Sequence, residues 1–179
     1  TEQALITHYY QSLLKRAPDA GGLAFWDSEV TRMKALGQDA RDAFLAMGIQ
    51  FVDSPEYRSF NRNDAEYVGD LYLAFLHRGA DPGGLTFWQS QIAQGMPRGV
   101  VMAQFLYSTE FDQYMAGQFG AALARPEGTT VVDFYRGYLV RLPDNAGQGF
   151  WTWQFRAAQC AGGNALSGTA DSISSLFQS

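Results

Sequence analysis

Residues 72–88 read YLAFLHRGADPGGLTFW. The first five residues are apolar or aromatic, as are Leu85, Phe87 and Trp88 at the end, and between them lies a polar hinge built from Arg78, Asp81, Pro82, Gly83 and Gly84. The same arrangement occurs at residues 10–26, YQSLLKRAPDAGGLAFW, and at residues 135–151, YRGYLVRLPDNAGQGFW. The three align without a gap. Arg16, Arg78 and Arg141 coincide, as do Asp19, Asp81 and Asp144; Gly22, Gly84 and Gly147; Phe25, Phe87 and Phe150; and Trp26, Trp88 and Trp151. Self-similarity at a spacing of about 60 residues signals internal duplication, so the repeat has to be read before any single element.

Each copy reads as helix, turn, helix. Before Arg78, Val68, Leu71, Tyr72, Phe75 and Leu76 recur at steps of three and four, which lines one helical face. Asn63 and Asp64 stand where a cap belongs. The arginine is expected in the last turn, near the negative end of the helix dipole. Asp81 followed by Pro82 reads as a helix start, since a carboxylate accepts from orphan amides and proline suits the first helical position. Glycine in a first turn costs up to about 1 kcal/mol against alanine. Its recurrence at Gly22, Gly84 and Gly147 predicts a backbone or aromatic ring passing too close for a side chain. Leu23, Leu85 and the Phe-Trp pairs are expected to carry the apolar face of the second helix.

Further helices are expected at about residues 39–52, 97–107 and 165–177. IQFVDSPEY ending at Tyr57 and AQFLYSTEF ending at Phe111 form a second echo, each with a serine cap. The third copy offers SISSLFQS, whose Ser179 takes the place of Ser54 and Ser108, without the following x-E-Y/F. Truncation inside the third repeat and a degenerate capping repeat both fit. TTVVDFY is the one local strand candidate, and its alignment with helical segments overrides that propensity. The expected fold is all-α: three tandem helical repeats packed into one array, spanning residues 1–62, 63–125 and, incomplete, 126–179, with merged cores because a unit of about 60 residues is marginal alone.

Composition limits the chemistry. Of 179 residues, 46% are hydrophobic and 17% charged, which marks a globular chain. A net charge of −5 supplies no basic field, so nucleic acid is a disfavoured partner. No apolar run of about 18 residues occurs, so no membrane insertion is expected. The single cysteine, Cys160, excludes an internal disulfide; it is either a small buried residue or paired with a thiol elsewhere.

The repeated residues read as structure before chemistry. Each Asp caps a helix, and its Arg braces the turn by ion pairing or by bonding carbonyls. Trp26, Trp88 and Trp151 read as core anchors rather than sugar-stacking platforms. Trp153 falls outside the pattern and is the candidate ligand-binding aromatic. Glu56 and Glu110 suit positive helix starts. APDAGGLAFW lacks the oxygen ligands of a calcium loop, and GADPGG has neither a G-x-G-x-x-G nor a Walker lysine. His8 and His77 sit in different repeats without a metal-ligand spacing; His77 aligns with Lys15 and Val140 as a variable helix position. Neither catalytic residues, metal nor cofactor are expected.

R-x-x-D-x-x-G-L-x-F-W followed by F-x-x-S-x-E-F/Y resembles the bacterial domain of unknown function 4214 family, along nearly the whole chain and best in the second copy. The first copy carries an extra stretch around Met33–Gln38, and the third has Gln148 and Gly149 where Leu85 and Thr86 stand. The resemblance implies a noncatalytic helical module of large secreted or surface-layer-associated bacterial proteins. Its expected role is structural or adhesive, contacting another protein or a surface glycan. A carbohydrate-binding module using exposed aromatics is the alternative. A fainter likeness to phycobilisome linker domains, or an enzyme-associated role, ranks below both, since those linkers are basic and this chain is acidic.

Overall fold

The computed structural model describes residues 1–120 and 126–178. The described residues are all-α. Eleven helices follow one another: α1 (Glu2–Leu13), α2 (Ala20–Ala35), α3 (Ala40–Asp53), α4 (Pro55–Ser59), α5 (Asp64–Leu76), α6 (Pro82–Ala93), α7 (Arg98–Leu106), α8 (Thr109–Phe119), α9 (Pro126–Leu139), α10 (Asn145–Ala161) and α11 (Gly163–Gln178). TTVVDFY lies within α9, as the alignment requires. Ser179 and the expected repeat junction at 121–125 lie outside the described residues.

Local chemistry sets the helix starts. Asn63 accepts from the Glu66 amide while Glu66 reaches back to the Asn63 amide, a capping box that opens α5. Ser54 and Ser108 cap α4 and α8 by accepting from the Tyr57 and Phe111 amides.

The helix ends preceding the motif arginines share a feature that the sequence conceals. Lys15, His77 and Val140, which differ chemically, all take left-handed backbone conformations, with φ of 58°, 56° and 52°. The variable position is therefore the point where each helix turns off. This also corrects the placement of the arginines: α1 and α5 end at Leu13 and Leu76, so Arg16 and Arg78 lie beyond the last turn. Their amides donate to the carbonyls of Tyr10 and Tyr72 at 3.5 and 3.4 Å.

Helices α1 to α8 share one core. Ile6, Tyr9 and Leu13 of α1 meet Phe44 and Met47 of α3, Val68, Leu71 and Phe75 of α5, and Phe111 of α8, all almost completely buried. The third copy departs from the expected merging. Val131, Tyr135, Phe155 and Ile173 form a smaller core of their own, and among the described buried residues of this copy only Val132 and Leu142 reach into the main one. Below the size at which a core is self-sufficient, such a segment depends on docking.

Polar side chains make that docking contact. Arg136, 3% exposed, sits 3.6 Å from Asp42 of α3, pairs with Asp133, and donates to the Tyr107 hydroxyl at 2.6 Å. Burial pushes the Asp42 carboxyl up to about 6, against the opposing pull of Arg136 and Arg41. Between the first two copies the corresponding hub is Asp70 (aligned with Asp133), which accepts from Lys15 Nζ at 2.6 Å, the Tyr57 hydroxyl at 2.9 Å and Arg62 Nε at 3.0 Å.

Candidate functional site

The repeated residues assemble into a clasp. Asp19, Asp81 and Asp144 open α2, α6 and α10, each accepting from the glycine amide three residues on at 2.8 Å. These bonds hold the three carboxyls below their ordinary range. A Cβ built on Gly22, Gly84 or Gly147 would collide with the hydroxyl of Tyr10, Tyr72 or Tyr135, and would come within 3.1, 3.1 and 3.0 Å of the ring carbon beneath it. The close-passing ring expected from the glycines is thus the tyrosine at the start of the motif.

Above that ring sits the arginine. The guanidinium carbons of Arg16, Arg78 and Arg141 lie 5.1, 4.8 and 5.0 Å from the centroids of Tyr10, Tyr72 and Tyr135. Each arginine also bonds the carbonyl of the next residue, at 3.3, 3.4 and 3.2 Å. Two of the three meet a further partner that sequence reasoning assigned elsewhere. Arg16 grips Glu56 with bonds of 2.6 and 3.0 Å, and Arg78 grips Glu110 with the same pair of distances. The fork geometry is that of a bidentate arginine–carboxylate pair, and it holds Glu56 and Glu110 below the usual glutamate range. The signal was present in the sequence: an x-E follows the serine in both copies whose arginine has this partner.

The aromatic pairs divide. Trp26 is buried and packs edge-on against Phe51 at 5.9 Å; Trp88 and Trp151 are half-buried. Phe25, Phe87 and Phe150, expected on the apolar face, instead stand 54%, 54% and 53% exposed, each leaning edge-on against its tryptophan at 5.1, 4.9 and 4.8 Å. The two are about 100° apart on the helix, so with the tryptophan turned toward the neighbouring helices the phenylalanine falls to the outer side.

Three cavities adjoin these elements. The first, of 420 Å³, is lined by Arg58, Arg62 and Arg98, each of which has a carboxylate partner in Asp53, Asp70 and Asp64. The second, of 500 Å³, lies between Trp26 and the Arg141–Asp144 turn, where Arg32 donates to the Pro143 carbonyl at 2.7 Å. The third, of 290 Å³, lies between the α2–α3 connection and α10; Gln38, Gln148, Thr152 and Trp153 line it. Trp153 is 63% exposed, as its position outside the motif suggested. The twelve motif residues are therefore not gathered into one cleft, although Trp26, Arg141 and Asp144 share the second cavity.

His8 and His77 do meet, which their separation in sequence hides. Their rings stack at 3.6 Å, and His8 Nε2 donates to the Leu73 carbonyl at 2.8 Å. Burial holds both imidazoles below their ordinary range. Cys160 is exposed, so the small-buried-residue reading fails. Among the described residues no group of three or more His, Cys, Asp or Glu is placed to hold a metal ion, and no helix is long and apolar enough to cross a membrane.

Residues 49–115 match the family model described as domain of unknown function (DUF4214). This segment belongs to the DUF4214 family. The match runs from the end of α3 through most of α8 and contains the whole second motif together with both serine-capped glutamates. The DUF4214 model therefore covers a narrower span than the near-complete likeness read from the motifs. No curated protein and no solved structure matches the chain.

Proposed function

We propose that the chain is a noncatalytic helical module of an extracellular bacterial protein, and that it works by docking on another protein. One observation carries this reading: the charged motif residues are engaged in cohesion, whereas the apolar motif residue left mostly in solvent is a phenylalanine in every copy. Arg16 and Arg78 are held by glutamates and the aspartates cap helices. Phe25, Phe87 and Phe150 each expose more than half of their surface. Exposed aromatic side chains at an equivalent place in successive units suit a contact surface, since burying them on a partner yields much of the binding energy of an interface.

The test compares the chain with its Phe25→Ser/Phe87→Ser/Phe150→Ser variant as baits against a bacterial envelope fraction. Support is a specific protein retained by the native chain, lost by the variant, and rebound when purified. A partner retained equally by both would remove the phenylalanines from the interface.

A further inference from the structure

We infer that the 290 Å³ cavity beside Trp153 is a binding site for a single pyranose ring. Three features converge there. The first is unmet hydrogen bonding. Gln38 and Gln148 are 6% and 3% exposed, and the Oε1 atom of each has no hydrogen-bond partner. Buried carboxamide oxygens are normally paired, and two unpaired ones lining one cavity describe a ligand that brings hydroxyl donors. Gln148 is held from its other end, its Nε2 lying 3.4 Å from both the Gly128 carbonyl and the Thr152 hydroxyl, so its oxygen is held in place in advance.

The second feature is Trp153, a largely exposed indole on the cavity wall. A pyranose presents hydroxyls around its edge and C–H bonds on its faces, so it can donate to the amides while laying an apolar face on the indole. The third is size. The cavity sits near the lower end of the roughly 300–1,000 Å³ typical of small-molecule sites, which suits one ring. Arg156 lines the cavity as well; the unpaired groups, the Gln38 and Gln148 oxygens, are uncharged acceptors, which suits a ligand that brings hydroxyl donors.

Gln148 and Gly149 are the positions where the third copy departs from the Leu-Thr of the second. The departure that spoils an apolar helix face thus builds the cavity wall. This site is separate from the exposed phenylalanines, so its failure leaves the docking proposal standing and the reverse also holds.

The experiment is nuclear magnetic resonance titration of the full chain with the methyl glycosides of glucose, galactose and mannose and with N-acetylglucosamine, up to tens of millimolar. Saturable shifts of the Trp153 indole and of the Gln38 and Gln148 carboxamide signals by at least one sugar are expected. Trp153→Ala and Gln148→Leu should each weaken binding about tenfold or more, as loss of a partnered contact implies. Trp153 is exposed, so its removal should leave the melting temperature unchanged and keep that variant informative even if Gln148→Leu does not fold. Absence of saturation with all four sugars, or undiminished binding by the Trp153→Ala variant, would overturn the assignment.

Discussion

The tyrosine–glycine contact makes a sharp prediction because it reverses the usual effect of a substitution. Replacing a helical glycine by alanine ordinarily stabilises a protein, by up to about 1 kcal/mol. Gly69, in the interior of α5, has nothing within 4 Å of the space a Cβ would take, so Gly69→Ala should follow that rule. Gly84 should not. A Cβ there meets the Tyr72 hydroxyl, lies 3.1 Å from the ring carbon bearing it, and lies 3.1 Å from an Asp81 carboxylate oxygen. Tyr72 cannot swing aside: it is 5% exposed, with Phe105 edge-on at 4.8 Å and Arg78 over its face at 4.8 Å. Overpacking of this kind costs about 1–3 kcal/mol, which outweighs the helical gain and leaves a net loss of about 1–2 kcal/mol. For a chain of this length that lowers the melting temperature by roughly 2–8 °C. Removing the hydroxyl with Tyr72→Phe should recover about half of the loss in the double variant, since the ring carbon stays close. The measurement is urea and thermal unfolding of the single variants and the double. A Gly84→Ala protein as stable as the Gly69→Ala protein, or a loss undiminished in the Tyr72→Phe background, would refute the steric account.

The clasp glutamates should reveal themselves in acid. Their folded-state carboxyls lie below the ordinary 4.5, so their contribution is present above that value and is lost as pH falls through the folded value. Glu56→Gln/Glu110→Gln should cost about 1 kcal/mol in total near neutral pH, discounted for solvent screening of half-exposed pairs, and progressively less as the pH is lowered below the ordinary glutamate range, read by urea unfolding at each pH. Asp42 should act in the opposite sense. With its folded value raised to about 6 from 3.8, the folded chain holds a proton there that the unfolded chain lacks, so this group's contribution to stability falls as pH rises through the interval between them. Asp42→Asn should remove that component on acidification from about pH 7 to about pH 5, while Arg136, Arg41, Asp39 and Asp133 remain; an unchanged pH slope would refute the assignment. Val140, a β-branched residue at φ 52°, holds a conformation that costs L-residues about 1–2 kcal/mol, so Val140→Asn should raise the melting temperature, and a lower one would count against strain at that turn.

What the sequence disclosed was whatever depends on neighbours along the chain. The aspartate and serine caps, the cap at Asn63, and the helical state of TTVVDFY all follow from local hydrogen bonding and from alignment of the motif copies. The glycines announced a close-passing ring because an unfavourable residue recurring in a first turn needs a steric cause. Contacts across tens of residues were hidden. Arg16 and Glu56 are 40 apart and Arg78 and Glu110 are 32 apart, and unequal spacing defeats alignment by a fixed offset. The exposed phenylalanines were hidden for another reason. Composition assigns an FW pair to a core, whereas the orientation of α2, α6 and α10 on their neighbours, which turns the tryptophan inward and leaves the phenylalanine outside, is set by tertiary packing. The Gln38–Gln148 cavity joins a connection in the first copy to a helix in the third, and it could not be read from either segment alone.

The two arginine–glutamate grips have the same bond lengths although the chain between them differs in span. Fastened ends make the intervening length a free variable, since lengthening a loop costs only about 0.6 kcal/mol for each doubling. The bend at Gly95, between α6 and α7, is therefore a natural splice point for foreign peptides: an epitope or a second domain grafted there would ride on the outside, while Arg78 and Glu110 keep the scaffold beneath it closed.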